Sequence, residues 1–132
     1  MAPDGRPRLV PLAYALAARS SPAGRPLIYS ALDEKPKSVD DPRRLARVRD
    51  VLARPDVTVL VDHWSEDWSE LAWLRLEGRA GLLEPLGPTA AEHAGGVELL
   101  RARYPQYASQ RLESRPMLRI EVERALSWGL SR

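Results

Sequence analysis

The sequence predicts a mainly β, α+β fold, a small barrel of at least five strands with two peripheral helices. Short apolar segments typical of strands recur along the chain, and two longer segments with helical spacing lie between them. Several connections are short, which favours antiparallel pairing. At 132 residues, the chain is expected to form a single domain, residues 1–132.

The first two predicted strands form a hairpin with a long connection. The apolar stretch from Arg8 to Leu16 predicts the first strand. Pro11 lies inside it, and because proline has no N–H, this strand needs an open edge or a bulge there. Residues 17–25 contain a Ser-Ser-Pro-Ala-Gly loop, and the segment from Pro26 to Leu32 predicts the second strand.

The first predicted helix begins at Asp41-Pro42, since aspartate suits the N-cap and proline the first helical position. Pro55 ends it. The apolar positions have helical spacing and predict its buried face: Leu45, Val48, Val51 and Leu52. Charged residues lie off this stripe and are expected on a solvated face: Arg43, Arg47, Asp50 and Arg54.

The rest of the chain predicts three more strands and a second helix. The β-branched run from Val57 to Val61 is a strand, and a polar, aromatic turn follows it. Gly78 predicts a bulge or a bend in the next strand, and Gly95-Gly96 weakens the middle of the second helix. The predicted ranges are strands at 57–61, 71–83 and 117–122 and a helix at 89–104.

Composition excludes several classes of function. The net charge is only +2, so the composition gives no reason to expect a nucleic-acid partner. The chain has no cysteine, which removes disulfides, thiolate metal sites and cysteine nucleophiles. No apolar run approaches ~18 residues and no signal-peptide pattern is present, so we expect no membrane partner and a cytoplasmic location.

The sequence offers no set of catalytic side chains. Neither His63 nor His93 stands at metal-ligand spacing from another ligand, so no metal site is predicted. A nucleophile elbow, a P-loop and a dinucleotide-binding glycine motif are all missing. No catalytic residue is therefore assigned, and if the protein is an enzyme, a bound cofactor is expected to carry the chemistry.

Two features suggest a ligand, each with a plain alternative. The only two lysines, Lys35 and Lys37, follow the second predicted strand, where they could grip an anion such as phosphate or form a solvated charged loop. Trp73 shares a strand face with Arg75 and Glu77. Its indole could pack in a core or interface, or form a wall against a planar ring.

Five segments, in this order, carry a resemblance: residues 5–12, 28–37, 59–68, 73–80 and 103–107. The chain resembles the pyridoxamine 5′-phosphate oxidase-like split β-barrel superfamily, and within it the coenzyme F420-dependent branch. The resemblance implies a split β-barrel of the flavin- or deazaflavin-binding type. It also implies hydride transfer between deazaflavin and a small-molecule substrate, and a homodimer with cofactor sites at the subunit interface.

The resemblance further implies which residues contact the cofactor. The segment Val10–Ala13 would lie along the ring system, and the Tyr29–Ser30 strand end with the basic loop after it would hold the phosphate. Lys37 is then the first phosphate ligand, with Lys35 its companion and Ser30 a hydroxyl donor. The full implied set is Val10, Pro11, Leu12, Ala13, Tyr29, Ser30, Ala31, Lys35, Lys37, Arg44, Arg47 and Trp73, with the two arginines toward the acidic tail.

Two departures from the family pattern bear on the cofactor. Ala13 stands where the oxidases have a lysine that helps bind flavin mononucleotide (FMN), and Trp73 stands where they have a glutamine. Both changes weaken the FMN interpretation and leave room for F420, whose longer acidic tail the extra arginines could meet. The alternatives are an FMN-binding oxidase or reductase of the same fold, and a non-catalytic protein that sequesters a cofactor or a tetrapyrrole.

A third departure concerns the start of the sequence. Family members carry a helix and a first strand before the Asp-Gly turn, whereas this sequence begins at that turn, with Asp4-Gly5. We expect either that the true start lies upstream or that one barrel strand is absent, which would leave a sheet edge unpaired.

Overall fold

A computed structural model describes residues 2, 4–32 and 41–130. Within these ranges, five strands and two α-helices confirm the predicted mainly β, α+β composition. None of the described helices is long and apolar enough to span a membrane. The bounds are β1 Ala15–Leu16, β2 Leu27–Ala31, α1 Ala46–Ala53, β3 Asp56–His63, β4 Ala72–Leu83, α2 Ala90–Arg103 and β5 Met117–Trp128.

The strands form one sheet in the order β1-β2-β5-β4-β3. Every neighbouring pair is antiparallel, as the short connections predicted. The register shifts between Glu77 and Gly78, which confirms the bulge expected at Gly78. Over the described residues the strands do not close into a barrel, and β1 and β3 are the two edges.

The two helices pack on opposite faces of the sheet. Along β2, Tyr29 belongs to the apolar cluster that contains Leu100 of α2. The next side chain back along the strand, Ile28, belongs to the cluster that contains Val48 of α1. Side chains alternate between the two faces of a strand, and a helix covers each face of β2. The five residues of β2 are therefore all buried.

The prediction of a first strand from Arg8 to Leu16 is mostly wrong. Only Ala15–Leu16 pairs with β2, at Tyr29 and Ile28, in the hairpin arrangement that was expected. Residues 7–14, here called the N-terminal arm, have no regular secondary structure. No backbone hydrogen bond joins residues 7–12 to the described sheet. Pro11 offers no donor for such pairing, and contacts at the two ends of the arm hold it in place instead.

The first helix differs from its prediction in where it begins and in the burial of two residues. Asp41 caps a short 3-10 turn over Pro42–Arg44, accepting a 3.0 Å hydrogen bond from the Arg43 N–H, and α1 follows from Ala46. Leu52, predicted to be buried, is exposed. Asp50, predicted to be solvated, is buried because the guanidinium of Arg8 reaches it from the arm.

Candidate functional site

The N-terminal end of the arm is held by an ion pair. Arg8 Nε lies 2.7 Å from Asp50 Oδ2 on α1. The Asp50 side chain is only 7% exposed, whereas that of Arg8 is 44% exposed. Arg8 therefore provides a charged partner for the Asp50 carboxylate, which has lost most of its contact with water.

The C-terminal end of the arm is tied to β2 and α2. Ser30 Oγ donates a 2.8 Å hydrogen bond to the Ala13 carbonyl oxygen. The Tyr104 hydroxyl accepts from the Tyr14 N–H at 3.0 Å and donates to the Tyr14 carbonyl oxygen at 2.9 Å. Arg103 also donates to that oxygen and stacks over the Tyr14 ring, 4.3 Å from its centroid. The middle of the arm therefore lies between two ends that are held in place.

A cavity of about 1100 Å³ lies between the arm and the sheet; we call it the arm cavity. Pockets that hold small molecules typically enclose roughly 300–1,000 Å³. The lining is mainly apolar and includes three indoles, from Trp64, Trp73 and Trp128. Its residues are Arg8–Leu12, Tyr14, Thr58–Leu60, Asp62–Trp64, Leu71–Trp73, Arg75 and Trp128.

Trp73 is fixed in the wall by the register of the sheet. It pairs with Asp62 on β3 and with Trp128 on β5. Residues directly opposite each other in neighbouring strands project from the same face, so Trp73 and Trp128 form one aromatic surface. Such a surface suits a flat ring that lies against it.

Arg75 is a basic group in the same wall. Its guanidinium carbon lies 5.8 Å from the centroid of the Trp73 ring. Its Nε is shut off from solvent and has no hydrogen-bond partner among the described residues. The nearest carboxylate oxygen, Glu77 Oε2, is 3.6 Å away, too far for a hydrogen bond to this atom.

A second cavity of about 530 Å³ adjoins the arm next to α1. It shares Arg8, Leu9, Val10 and Leu12 of the arm with the arm cavity. Arg47 and the buried Asp50 belong to its lining. The arm therefore contributes to two cavities, and Arg47 reaches only the smaller one.

The structure brings together part of the predicted site. Val10, Pro11, Leu12 and Trp73 line the arm cavity. Ala13 lies beside it and contributes its carbonyl oxygen to the bond from Ser30. Lys35 and Lys37 lie outside the described residues.

The remaining predicted residues lie apart from the described lining of the arm cavity. Ser30 and Ala31 are buried in the sheet, and Arg44 is exposed. Arg47 lines the second cavity. The contact of each with a cofactor stays a prediction.

Tyr29 is buried in a charged network under α2. Its hydroxyl donates to Glu92 Oε2 at 2.7 Å, and Arg119 Nε lies 2.7 Å from the same oxygen. Burial, together with the bond to Glu92, raises the pKa of the Tyr29 hydroxyl well above its usual value. Burial opposes ionisation of Glu92, but the bonds from Tyr29 and Arg119 outweigh it and lower the pKa of that carboxyl.

Sequence reasoning missed part of the cavity wall. Leu60 and Trp128 line it, yet neither stood out as a candidate. Arg75 was noted only as a neighbour of Trp73. The signal that could have found them is cross-strand register, which places Leu60 opposite Arg75 and Trp128 opposite Trp73.

No family model matches the chain. No curated protein matches it significantly either.

Proposed function

We propose that this protein is an F420-dependent oxidoreductase of the split β-barrel type, which transfers a hydride between deazaflavin and a small-molecule substrate. The observation that carries the proposal is the arm cavity. Four residues that the family resemblance implies for the cofactor lie in its wall: Val10, Pro11, Leu12 and Trp73. Trp73 lies more than sixty residues along the sequence from the other three, which are consecutive.

The chemistry of the cavity supports a ring-shaped redox ligand. A deazaflavin ring is flat and largely apolar, and the arm offers it backbone and small aliphatic groups along one side. Trp73 bounds the same cavity with an aromatic surface. In this proposal, the residues of the wall fix the ring and exclude water, and the bound cofactor supplies or accepts the hydride.

The anionic tail needs positive charge near the ring. Lys35 and Lys37 follow the end of β2 by four and six residues, counted from Ala31. We propose that they bind the phosphate and that Arg44 and Arg47 meet the acidic groups beyond it. Arginine forms bidentate hydrogen bonds with carboxylates and phosphates, which suits a tail with several acidic groups.

We propose a homodimer whose second copy covers the mouth of the arm cavity. Three large apolar side chains that line this cavity are also exposed in the single chain: Leu60, Trp64 and Trp128. Leu60 lies on the edge strand β3. Exposed apolar patches of this kind are typical of protein interfaces.

A titration with both cofactors tests the proposal. Purified protein is titrated with F420 and, separately, with FMN, and binding is followed by the shift of each cofactor's absorption band. We expect F420 to bind roughly tenfold or more tightly than FMN, a difference of about 1.4 kcal/mol. Tighter FMN binding would favour the flavin alternative, and no binding of either cofactor would refute the proposal.

Turnover separates an enzyme from a binding protein. With reduced F420 bound, we expect oxidation of the cofactor when an unsaturated or quinone-like acceptor is added. Tight binding of F420 without hydride transfer to any acceptor would instead favour a protein that only sequesters the cofactor.

A further inference from the structure

The strongest unexplained group in the described part of the chain is the guanidinium of Arg75. Its Nε is buried without a hydrogen-bond acceptor, although a buried donor normally has one. The side chain as a whole is 43% exposed and lines the arm cavity, so its other end is within reach of a ligand. An acceptor on a bound molecule could therefore bind the Nη groups of the guanidinium, whereas the buried Nε is not open to it.

Neighbouring carboxylates do not supply the missing hydrogen-bond acceptor of Arg75. Glu77 is the described ion-pair partner of Arg75, but the 3.6 Å separation is too long for a hydrogen bond. Glu77 also lies 3.9 Å from Arg124 Nη1, so its charge is shared between two arginines. Asp62 lines the cavity as well and would repel an anion, but it is exposed, so water screens it.

The position of Arg75 beside Trp73 defines the shape of a matching ligand. The guanidinium lies next to the indole along the same strand, two residues away. The cofactor ring, placed against Trp73 in the proposal above, would therefore have its edge at Arg75. A second flat molecule with a carboxylate at that edge could accept two parallel N–H bonds from the guanidinium fork.

We infer that the small-molecule substrate of the arm cavity is a planar unsaturated or quinone-like acid, with its carboxylate at Arg75, at the edge of the Trp73 surface that the cofactor ring occupies. The inference rests on the proposed function only in calling this ligand a substrate. The binding preference itself concerns only the residues of the cavity. Arg75 is a specificity-determining residue in this account and takes no part in hydride transfer.

Two probes of equal shape test the preference. 2-Naphthoate and 2-naphthalenemethanol share a ring system, and only the first carries a negative charge. Their dissociation constants are measured by calorimetry on the wild type, Arg75→Gln and Arg124→Gln. Arg124→Gln is a matched control, because Arg124 is also close to Glu77 but is not among the described residues that line the cavity.

We expect the wild type to bind naphthoate roughly tenfold more tightly than the alcohol, as for a charge-assisted hydrogen bond. Arg75→Gln should abolish that ratio, and Arg124→Gln should preserve it. Equal affinity for the two probes, no binding of either, or an unchanged ratio in Arg75→Gln would each overturn the inference. A thermal melt of each variant verifies that the fold is retained.

The outcome is separable from that of the cofactor proposal. Loss of the naphthoate preference with intact F420 binding would overturn only the substrate class. A clear preference that depends on Arg75, without F420 binding, would support a site for planar acids and refute the F420 assignment.

Discussion

Arg8 and Asp50 join two segments that belong to different parts of the sequence. Arg8 Nε lies 2.7 Å from Asp50 Oδ2, and the carboxylate is almost completely shielded from solvent. Through this contact, α1 fixes the end of the arm that leads into both cavities. The ion pair is therefore part of what shapes the candidate site.

Removal of Arg8 should destabilise the protein. Arg8→Met leaves a buried carboxylate without its charged partner, and we expect the free energy of unfolding to fall by about 2 kcal/mol. Arg6→Met is the control, since Arg6 is exposed and its carboxylate partner is 3.9 Å away, so a change within about 0.5 kcal/mol is expected. Urea unfolding measures both, and equal midpoints for the two variants would contradict this role of Arg8.

Glu92 should make stability depend on pH in the acid range. The pKa of this carboxyl is lower in the folded state, so the unfolded chain binds protons more readily. The stabilisation is fully present above the unfolded pKa of about 4.3 and is lost as pH falls through the lower folded value. The stabilisation should therefore decrease as pH falls below about 4.3, and it should be lost once pH is below the folded-state pKa.

The Glu92→Gln variant isolates this effect. At pH 7 we expect it to lower the free energy of unfolding by about 1 kcal/mol, since Glu92 is about one-third exposed and part of its charge is screened. The difference from wild type should shrink as pH falls through the unfolded pKa of about 4.3 toward the lower folded value. Glu98→Gln, at an exposed position on the same helix, is the control. A difference from wild type that does not vary with pH would count against this assignment.

The two adjacent glycines of α2 should respond oppositely to alanine. A Cβ at Gly95 would meet nothing within 4 Å, so Gly95→Ala should stabilise the protein by about 0.5–1 kcal/mol through helix propensity. At Gly96, a Cβ would lie 2.8 Å from the Sδ of the buried Met117 and 3.4 Å from Cγ of Tyr29. Crowding there should outweigh the gain and cost about 1–2 kcal/mol net. A higher melting temperature for Gly96→Ala than for Gly95→Ala would disprove this packing account.

Much of the fold follows from local sequence patterns. Strong β propensity identified β3, and helical spacing bounded by Pro105 identified α2. The end of β5 was missed because exposed charged residues follow Val122, although the strand continues along β4 as far as Trp128. Pairing with a long neighbour determined that end, and no local pattern records it.

The arm and the cavity could be predicted only in part. An apolar composition suggested a strand from Arg8, but the ends of the arm are fixed by Asp50 and Ser30, which lie far along the chain. Asp50 was assigned to solvent because no local rule identifies its partner. The resemblance brought the arm and Trp73 together, whereas the place of Arg75 depended on the sheet register.

The proposed dimer predicts a specific change in mass. Light scattering of the wild type should give twice the 14.8 kDa of one chain. Leu60→Arg should reduce this to a single chain by placing a charge in the proposed interface. Leu52→Arg is a matched control, because Leu52 is equally exposed, at 62% against 61%, but lies on α1. A monomeric wild type, or equal effects of the two variants, would refute this interface.

The most direct test of the central claim is the dissociation constant of F420 for Trp73→Ala beside that for Trp68→Ala. Trp73 lines the arm cavity, whereas Trp68 is exposed and is not among the described residues of its wall. If the cavity holds the cofactor ring, Trp73→Ala should weaken F420 binding roughly tenfold and Trp68→Ala should leave it nearly unchanged. Equal F420 affinity in the two variants would contradict the placement of the ring in this cavity.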